Sequence, residues 1–217
     1  MLSCGSREMF CKLIDGECGR SVFKLDIMGG KIAVNGEEIS LEALQDMLSG
    51  GDFIFQDKLE QHPEMARLHP SSLNTIRLTT VRNLKTGEIR PWLSALRIGV
   101  GGLHVDNLSQ GGIIVGFDLE EGHLNAEGIR RPEFGRRVSV HPDSGVVFAD
   151  FTIPFWKEAK EKAIQLHSML KDIHSIGWDI AITSDGPVFI EGNDNWEITV
   201  SQAADKGMRK EFEEDFY

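Results

Sequence analysis

Near the end of the sequence, in GWDIAITSDGPVFIEGNDN (residues 177–195), stand three side chains able to hold a metal ion: Asp179, Glu191 and Asn193. Two apolar runs around a turn make the stretch a hairpin, so its register decides whether the three can meet. A two-residue turn at Asp185-Gly186 sets Asp179 opposite Gly192, with Glu191 and Asn193 on the other face. A three-residue loop, Ser184 to Gly186, with Gly186 in the left-handed conformation, sets Asp179 opposite Glu191. That second register gathers Trp178, Ile180, Ile182, Val188 and Ile190 on one face, and Asp179, Ala181, Phe189, Glu191 and Asn193 on the other. The first register mixes the two sets, so the three-residue loop is expected. The two carboxylates would then lie roughly 4.5–5.5 Å apart at Cβ, with Asn193 about 7 Å along the strand. Such oxygens suit Mg²⁺, which takes ligands at about 2.0–2.1 Å and shares them with substrate phosphates. A solvated acidic hairpin face is the other reading of the same pattern.

The elements that must position this hairpin are mostly strands. Strand patterns run over 9–14, 22–27, 31–34, 53–59, 74–83, 91–100 and 111–119. Ser40 reads as the N-cap of a short helix through Leu48, and one or two helical turns fit between Pro63 and Pro70. Residues 119–145 read as a loop or an extended hairpin. The strongest helix begins near Pro154 and buries Phe155, Ala159, Ala163, Leu166, Leu170 and Ile173, ending at Gly177. The expected class is α+β with mostly antiparallel pairing.

At 217 residues and a net charge of −11, the chain can bury a sizeable core and is a poor match for nucleic acid or an anionic membrane. No apolar run is long enough for a bilayer span, and the first ten residues lack the pattern of a signal peptide. Cys4, Cys11 and Cys18 are the only cysteines; an odd count without metal spacing reads as free thiols in a reducing, cytoplasmic setting. Arg77 and Arg97 interrupt apolar strands, where an unpaired guanidinium is costly. Each is expected to form an internal ion pair unless a functional site uses its charge. Arg130, Arg131, Arg136 and Arg137 read as a solvated loop or a receptor for an acidic substrate, and His62 as a cap, a core histidine or a catalyst.

The hairpin resembles the metal-binding end of ATP-grasp enzymes, in which a strand Asp precedes an E-x-N strand end. DNLSQGG (106–112) resembles the N-x-x-x-G-G element of glutamate-ligase-like members, and FCKLIDGECGRSVF (10–23) their lysine strand and glycine-rich loop. FIFQDKLEQHPEMARLHPSSLNTIRLTT (53–80) resembles the sugar-transfer-associated, alpha-L-glutamate-ligase-related subfamily, where QHP and S-x-N-T-I-R recur. The chain has Lys12-Leu13 where such members commonly have Lys-Pro.

The resemblance implies an ATP-grasp fold of antiparallel sheets with flanking helices. Residues 1–59 would form a partial small lobe and 60–217 the C-terminal lobe, with the N-terminal substrate-side domain lacking. It implies ATP bound by Lys12, Gly16, Gly19, the hinge Gln56, Asp57, Lys58 and Leu59, and Asn107. One or two Mg²⁺ ions (or Mn²⁺) would sit on Asp179, Glu191 and Asn193, with Arg77 and Arg97 catalytic. The implied activity is a carboxylate–amine ligase working through an acyl phosphate, in polysaccharide or cell-surface biosynthesis. Its partners would be a small-molecule carboxylate, an amine-type acceptor and an upstream chain or domain completing the fold. A kinase-like phosphotransferase and an inactive truncated nucleotide-binding protein remain the alternatives.

Overall fold

Glycine and asparagine at positive φ set the tight turns that let successive strands pair. Gly29 and Gly30 (φ 58° and 83°) and Asn35 and Gly36 (φ 50° and 88°) each occupy a two-residue hairpin turn, a geometry that requires φ > 0 at both positions. The computed structural model describes residues 6–14, 22–101, 111–130, 137–198, 202, 207–210 and 213. Its chain divides into two compact units, Met1–Leu59 and Glu60–Tyr217.

The first unit is an antiparallel sheet of β1 (Arg7–Leu13), β2 (Val22–Met28), β3 (Lys31–Val34), β4 (Glu37–Ile39) and β5 (Phe53–Asp57), in the order β4-β3-β2-β1-β5. Helix α1 (Leu41–Leu48) starts where expected, with Ser40 Oγ accepting from Ala43 N at 3.2 Å. Leu44 of α1 packs with Met9, Cys11, Leu25 and Val34 on one sheet face. Cys11 is a free thiol, and burial pushes its pKa up to about 11. Cys4 and Cys18 lie outside the described residues.

In the second unit, seven antiparallel strands run in the order β10-β9-β8-β7-β6-β11-β12. They are β6 (Thr75–Arg82), β7 (Ile89–Ile98), β8 (Ile113–Phe117), β9 (Leu124–Ile129), β10 (Arg137–Val138), β11 (Ser175–Thr183) and β12 (Gly186–Asn193). Helices α2 (Pro63–Leu68) and α3 (Trp156–Met169) contribute Met65, Leu68, Trp156, Ala159 and Ala163 to the core. The sheet contributes Ile76, Leu78, Leu96, Ile98, Ile113, Val115, Ile176, Trp178, Ile180 and Ile182. Alternation along the strands commits one face to this core; the other carries the charged residues beside two small apolar clusters, around Val81 and Leu93 and around Ala95 and Ile114. The class is α+β, as the sequence pattern predicts, and residues 119–145 supply two short strands, β9 and β10.

The strongest helix departs from expectation at both ends and in its buried face. It starts at Trp156, because Phe155 adopts a left-handed conformation (φ 54°) and is 41% exposed. Its buried residues are Trp156, Ala159, Ala163 and His167 rather than a stripe through Phe155 and Leu170. Trp156 brings more apolar area than Phe155 and stacks edge-on against Phe117 at 4.7 Å. Arg82 stops the helix by donating to the His167 and Leu170 carbonyls, each at 3.1 Å. Gly177 does not end a helix; it lies within β11, where a Cβ would come 2.5 Å from Trp196 Cβ.

His167 is buried in a polar chain through the core. Its Nε2 faces the Ile173 carbonyl at 3.1 Å and donates to it, so Nδ1 accepts from Thr80 Oγ1 at 2.8 Å. Thr80 in turn accepts from Trp178 Nε1 at 2.8 Å. Burial, the largest influence in each case, lowers the pKa of His141, His167 and His174. The unfolded chain then binds protons that the folded one refuses. The stability these groups contribute is full above about pH 6.5 and is lost as pH falls through the lowered folded values. The urea midpoint should therefore drop between about pH 7.5 and pH 5.5, less steeply in His167→Gln. A midpoint that rises on acidification contradicts this assignment.

Candidate functional site

The polar face of the second sheet carries one continuous charged row. The pairing register places Arg77 of β6 directly beside Asp179 of β11, and Asp179 directly beside Glu191 of β12. Two residues along one way, Arg97 of β7 pairs with Thr75; two residues the other way, Gly177 pairs with Asn193. Ala95 lies opposite Arg77 and Ala181 two residues beyond Asp179, so small side chains flank the charges.

Asp179 is the centre of this row and is only 4% exposed. Its Oδ1 accepts from Arg77 Nε at 2.5 Å, and its Oδ2 from Arg77 Nη2 at 3.1 Å and Arg97 Nη2 at 3.0 Å. Arg97 also donates to Thr75 Oγ1 through Nε (2.9 Å) and Nη2 (2.7 Å). The two-pronged Arg77 contact is the strongest geometry available to a carboxylate and a guanidinium. Two unit charges 4 Å apart attract by about 4 kcal/mol at the effective dielectric of a protein site. The cluster thus offsets the cost of placing charge on a largely buried strand.

Glu191 and Asn193 continue the row. Asn193 Nδ2 donates to Glu191 Oε1 at 3.3 Å and to Gly177 O at 3.4 Å, leaving its Oδ1 as an acceptor. Among the described residues no three His, Cys, Asp or Glu side chains form a metal cluster. The donors here are two carboxylates and an amide. An all-oxygen set fits Mg²⁺ or Mn²⁺ by ligand type.

The hairpin reaches the expected Asp179–Glu191 apposition by another route. Thr183 pairs with Gly186, so Ser184 and Asp185 alone form the loop, and a register shift after Asp179 leaves Ile190 as the extra residue. Phe189 therefore pairs with Ile180 and packs edge-on to Trp178 at 5.5 Å, on the face predicted for Val188 and Ile190. Without the extra residue the loop would set Asp179 opposite Ile190. The bulge is what lets Phe189 join the core while Glu191 stays beside Asp179.

In the first unit, Lys12 pairs with Val22 and Ile54, and Gln56 pairs with Phe10. Both lie on the sheet face opposite the Cys11 core. Beyond them, Asp57 ends β5, and Lys58 N donates to Glu8 O at 2.9 Å just before Leu59. The Lys24 and Lys58 ammoniums reach the Glu8 carboxylate at 2.6 and 3.0 Å. Hydrogen bonding from Lys24, then Lys58, lowers the pKa of Glu8. Gly16, Gly19, Asn107, Arg131 and Arg136 lie outside the described residues. Arg130 donates to Gly111 O, Arg137 reaches Glu127 at 3.5 Å, and His62 caps α2 by accepting from Glu64 N.

Sequence reasoning missed Thr75, the hydroxyl that orients Arg97. Its position directly across from Arg97 follows only from the β6–β7 register.

The model of the family described as sugar-transfer associated ATP-grasp matches residues 2–214 of the chain. Among solved structures, the chain matches the ADP complex of PurK, an N5-carboxyaminoimidazole ribonucleotide synthetase. The identity is 13% and the TM-score 0.48, and the match covers 88% of this chain and 36% of that one. No functionally curated protein matches the chain.

Removing the carboxylate takes the shared counter-charge from two guanidinium groups on a largely buried face. Asp179→Ala should cost about 3–5 kcal/mol of unfolding free energy in urea. Adding Arg77→Met and Arg97→Met should recover most of that loss. A cost below about 1 kcal/mol, the range of exposed pairs, would show that Asp179 is not the counter-charge described.

Proposed function

The chain belongs to the sugar-transfer-associated ATP-grasp family, and from that premise we propose that it is an ATP- and Mg²⁺-dependent ligase of the carboxylate–amine type. The γ-phosphoryl group of ATP passes to a substrate carboxylate, and an amine-type acceptor then displaces phosphate from the acyl phosphate. The family's sugar-transfer association supports a place for the product in polysaccharide or cell-surface assembly. The finer assignment rests above all on one observation, the Arg97–Thr75–Arg77–Asp179–Glu191 array on a single sheet face.

Each residue has a role consistent with its chemistry. Arg77 and Arg97 present fixed guanidinium groups where negative charge develops on the transferring phosphoryl oxygens. Asp179, Glu191 and Asn193 would hold the metal. A divalent cation, when bound, neutralises phosphate charge and lines up the displacement. By the family resemblance, Lys12 on β1 would supply a positive charge to the phosphates. By the same resemblance, Gly16 and Gly19 would offer backbone N–H groups to them, Asn107 would be a further phosphate-side residue, and Gln56 to Leu59 would offer backbone groups to the base edge. An upstream chain or domain would supply the rest of the acceptor site.

Charge balance sets the order of requirement. Arg77 and Arg97 carry two positive charges and Asp179 and Glu191 two negative ones, so these four side chains together offer a polyphosphate no net attraction. A divalent cation tips the balance, and nucleotide binding should therefore depend on it. At a nucleotide concentration 100 times Kd, binding adds about 2.7 kcal/mol, on the order of 5–10 °C in Tm for a chain of this size.

Thermal unfolding measures this directly. MgATP should raise Tm by that amount and ATP with a chelator should not. Glu191→Gln should shrink the difference between the two conditions, because it removes one ligand and one negative charge together. Equal stabilisation of the parent protein with and without Mg²⁺ would remove the metal assignment.

A further inference from the structure

Arg97 must present its guanidinium in one place, yet its strand ends one residue later. β7 stops at Ile98, and Gly99, Val100 and Gly101 lie outside any strand. Polar side chains, three of them buried, hold that stretch instead. Asn74 Oδ1 accepts from Gly99 N at 3.3 Å, and Asp143 Oδ2 accepts from Gly101 N at 2.6 Å. His141 Nε2 is 2.8 Å from Gly99 O and His69 Nε2 is 2.7 Å from Gly101 O. Facing carbonyls, both Nε2 atoms must carry the proton. The His141 Nδ1 accepts from the Asp143 and Ser144 amides, and the His69 Nδ1 shares a hydrogen bond with Ser72 Oγ at 2.8 Å.

The support behind these rings is equally closed. Gln61 Oε1 accepts from Asn74 N and Nδ2, and Gln61 Nε2 donates to the His69 and Ser72 carbonyls. His69, His141 and Asn74 are 2%, 1% and 0% exposed. A Cβ on Gly99 would come 2.2 Å from Ser72 Oγ and 2.6 Å from His69 Nδ1, so the backbone is gripped without slack. Asn74 also immediately precedes Thr75, the hydroxyl that takes two hydrogen bonds from Arg97. A buried network whose members are satisfied in this way specifies one arrangement rather than adding bulk stability.

We infer that His69 and His141 are positioning residues for Arg97: by donating to the Gly101 and Gly99 carbonyls, they hold the end of β7 where Arg97 meets Thr75 and Asp179. The functional consequence rests on the role proposed above for Arg97; the structural consequence does not. Acid releases the clamp, because a proton on His141 Nδ1 would face the Asp143 and Ser144 N–H groups. Among the described residues, Asp143, Arg130 and His69 are the charged and titratable groups around that ring. Burial above all, with His69 and Arg130, resists the proton against the Gly99 carbonyl and Asp143.

Two substitutions separate positioning from filling space. His141→Gln keeps a donor for Gly99 O; His141→Phe keeps the ring volume and has none. The readouts are the solvent-exchange protection factor of the Arg97 Nε–H resonance, assigned by its loss in Arg97→Lys, and the affinity for MgATP. His141→Phe should lower the protection and weaken MgATP on the order of tenfold or more, with the circular dichroism spectrum unchanged, and His141→Gln should restore both. Acidifying the parent protein from about pH 7.5 to about pH 5.5 should reproduce the lost protection, while His141→Gln should not respond. A parent protein that binds no MgATP defeats the functional reading, and Arg97 protection still decides this inference. Unchanged protection in His141→Phe, or equal behaviour of the two variants, overturns it. Should His141→Phe not fold, an identical pH response of the parent and His141→Gln overturns it as well.

Discussion

One carboxylate shared between two guanidinium groups holds the polar half of the larger sheet together. Asp179 sits in the middle of β11 between Arg77 and Arg97, which come from two other strands. A buried charge is tolerable only when its partners are in place, so the Asp179 cluster ties the β7–β6–β11 register to one solution. A slip of one residue would turn Arg77, Arg97 or Asp179 into the Ile76–Leu96–Ile180 core. Glu191 and Asn193 then inherit their positions from β11 through the hairpin. The apolar packing on the opposite face and the charged row on this face are two consequences of the same pairing.

Much of this was legible in the sequence, and the reason differs from residue to residue. Alternation in the 177–195 hairpin points to the Asp179–Glu191 apposition, but through a loop one residue longer than the one formed; the pairing is restored by the bulge. The bulge at Ile190 is not local: it follows from Phe189 packing on Trp178, which chain pattern does not display. The cost of a guanidinium in an apolar strand flags Arg77 and Arg97. Their common partner lies 102 and 82 residues away, beyond any spacing rule. The buried face of α3 keeps the expected Ala159, Ala163 and Leu166 but departs from the pattern at Phe155 and Leu170 for the same kind of reason. Apolar periodicity favours Phe155 and Leu170, whereas Trp156 against Phe117 and His167 against Thr80 win through contacts with distant strands.

The smaller unit shows the same division of labour on a simpler scale. Cys11 and its neighbours commit one face of the five-stranded sheet to α1, which leaves Lys12, Lys24 and Gln56 on the other. Turn chemistry at Asn35-Gly36 and the Ser40 cap were readable because both are decided within four residues. The ion pairs from Glu8 to Lys24 and Lys58 were not, because they join β1 to a residue on β2 and to one just beyond the end of β5.

The central claim is that the row built around Asp179 receives a divalent cation together with nucleotide phosphates. Anomalous diffraction from crystals grown with Mn²⁺ and a non-hydrolysable ATP analogue tests it most directly. The account predicts a manganese peak at ligand distance, about 2.0–2.3 Å, from oxygens of Asp179 and Glu191, with phosphate oxygens in the same coordination sphere. Nucleotide bound with no manganese at Asp179 and Glu191, or manganese held by other residues, would contradict it.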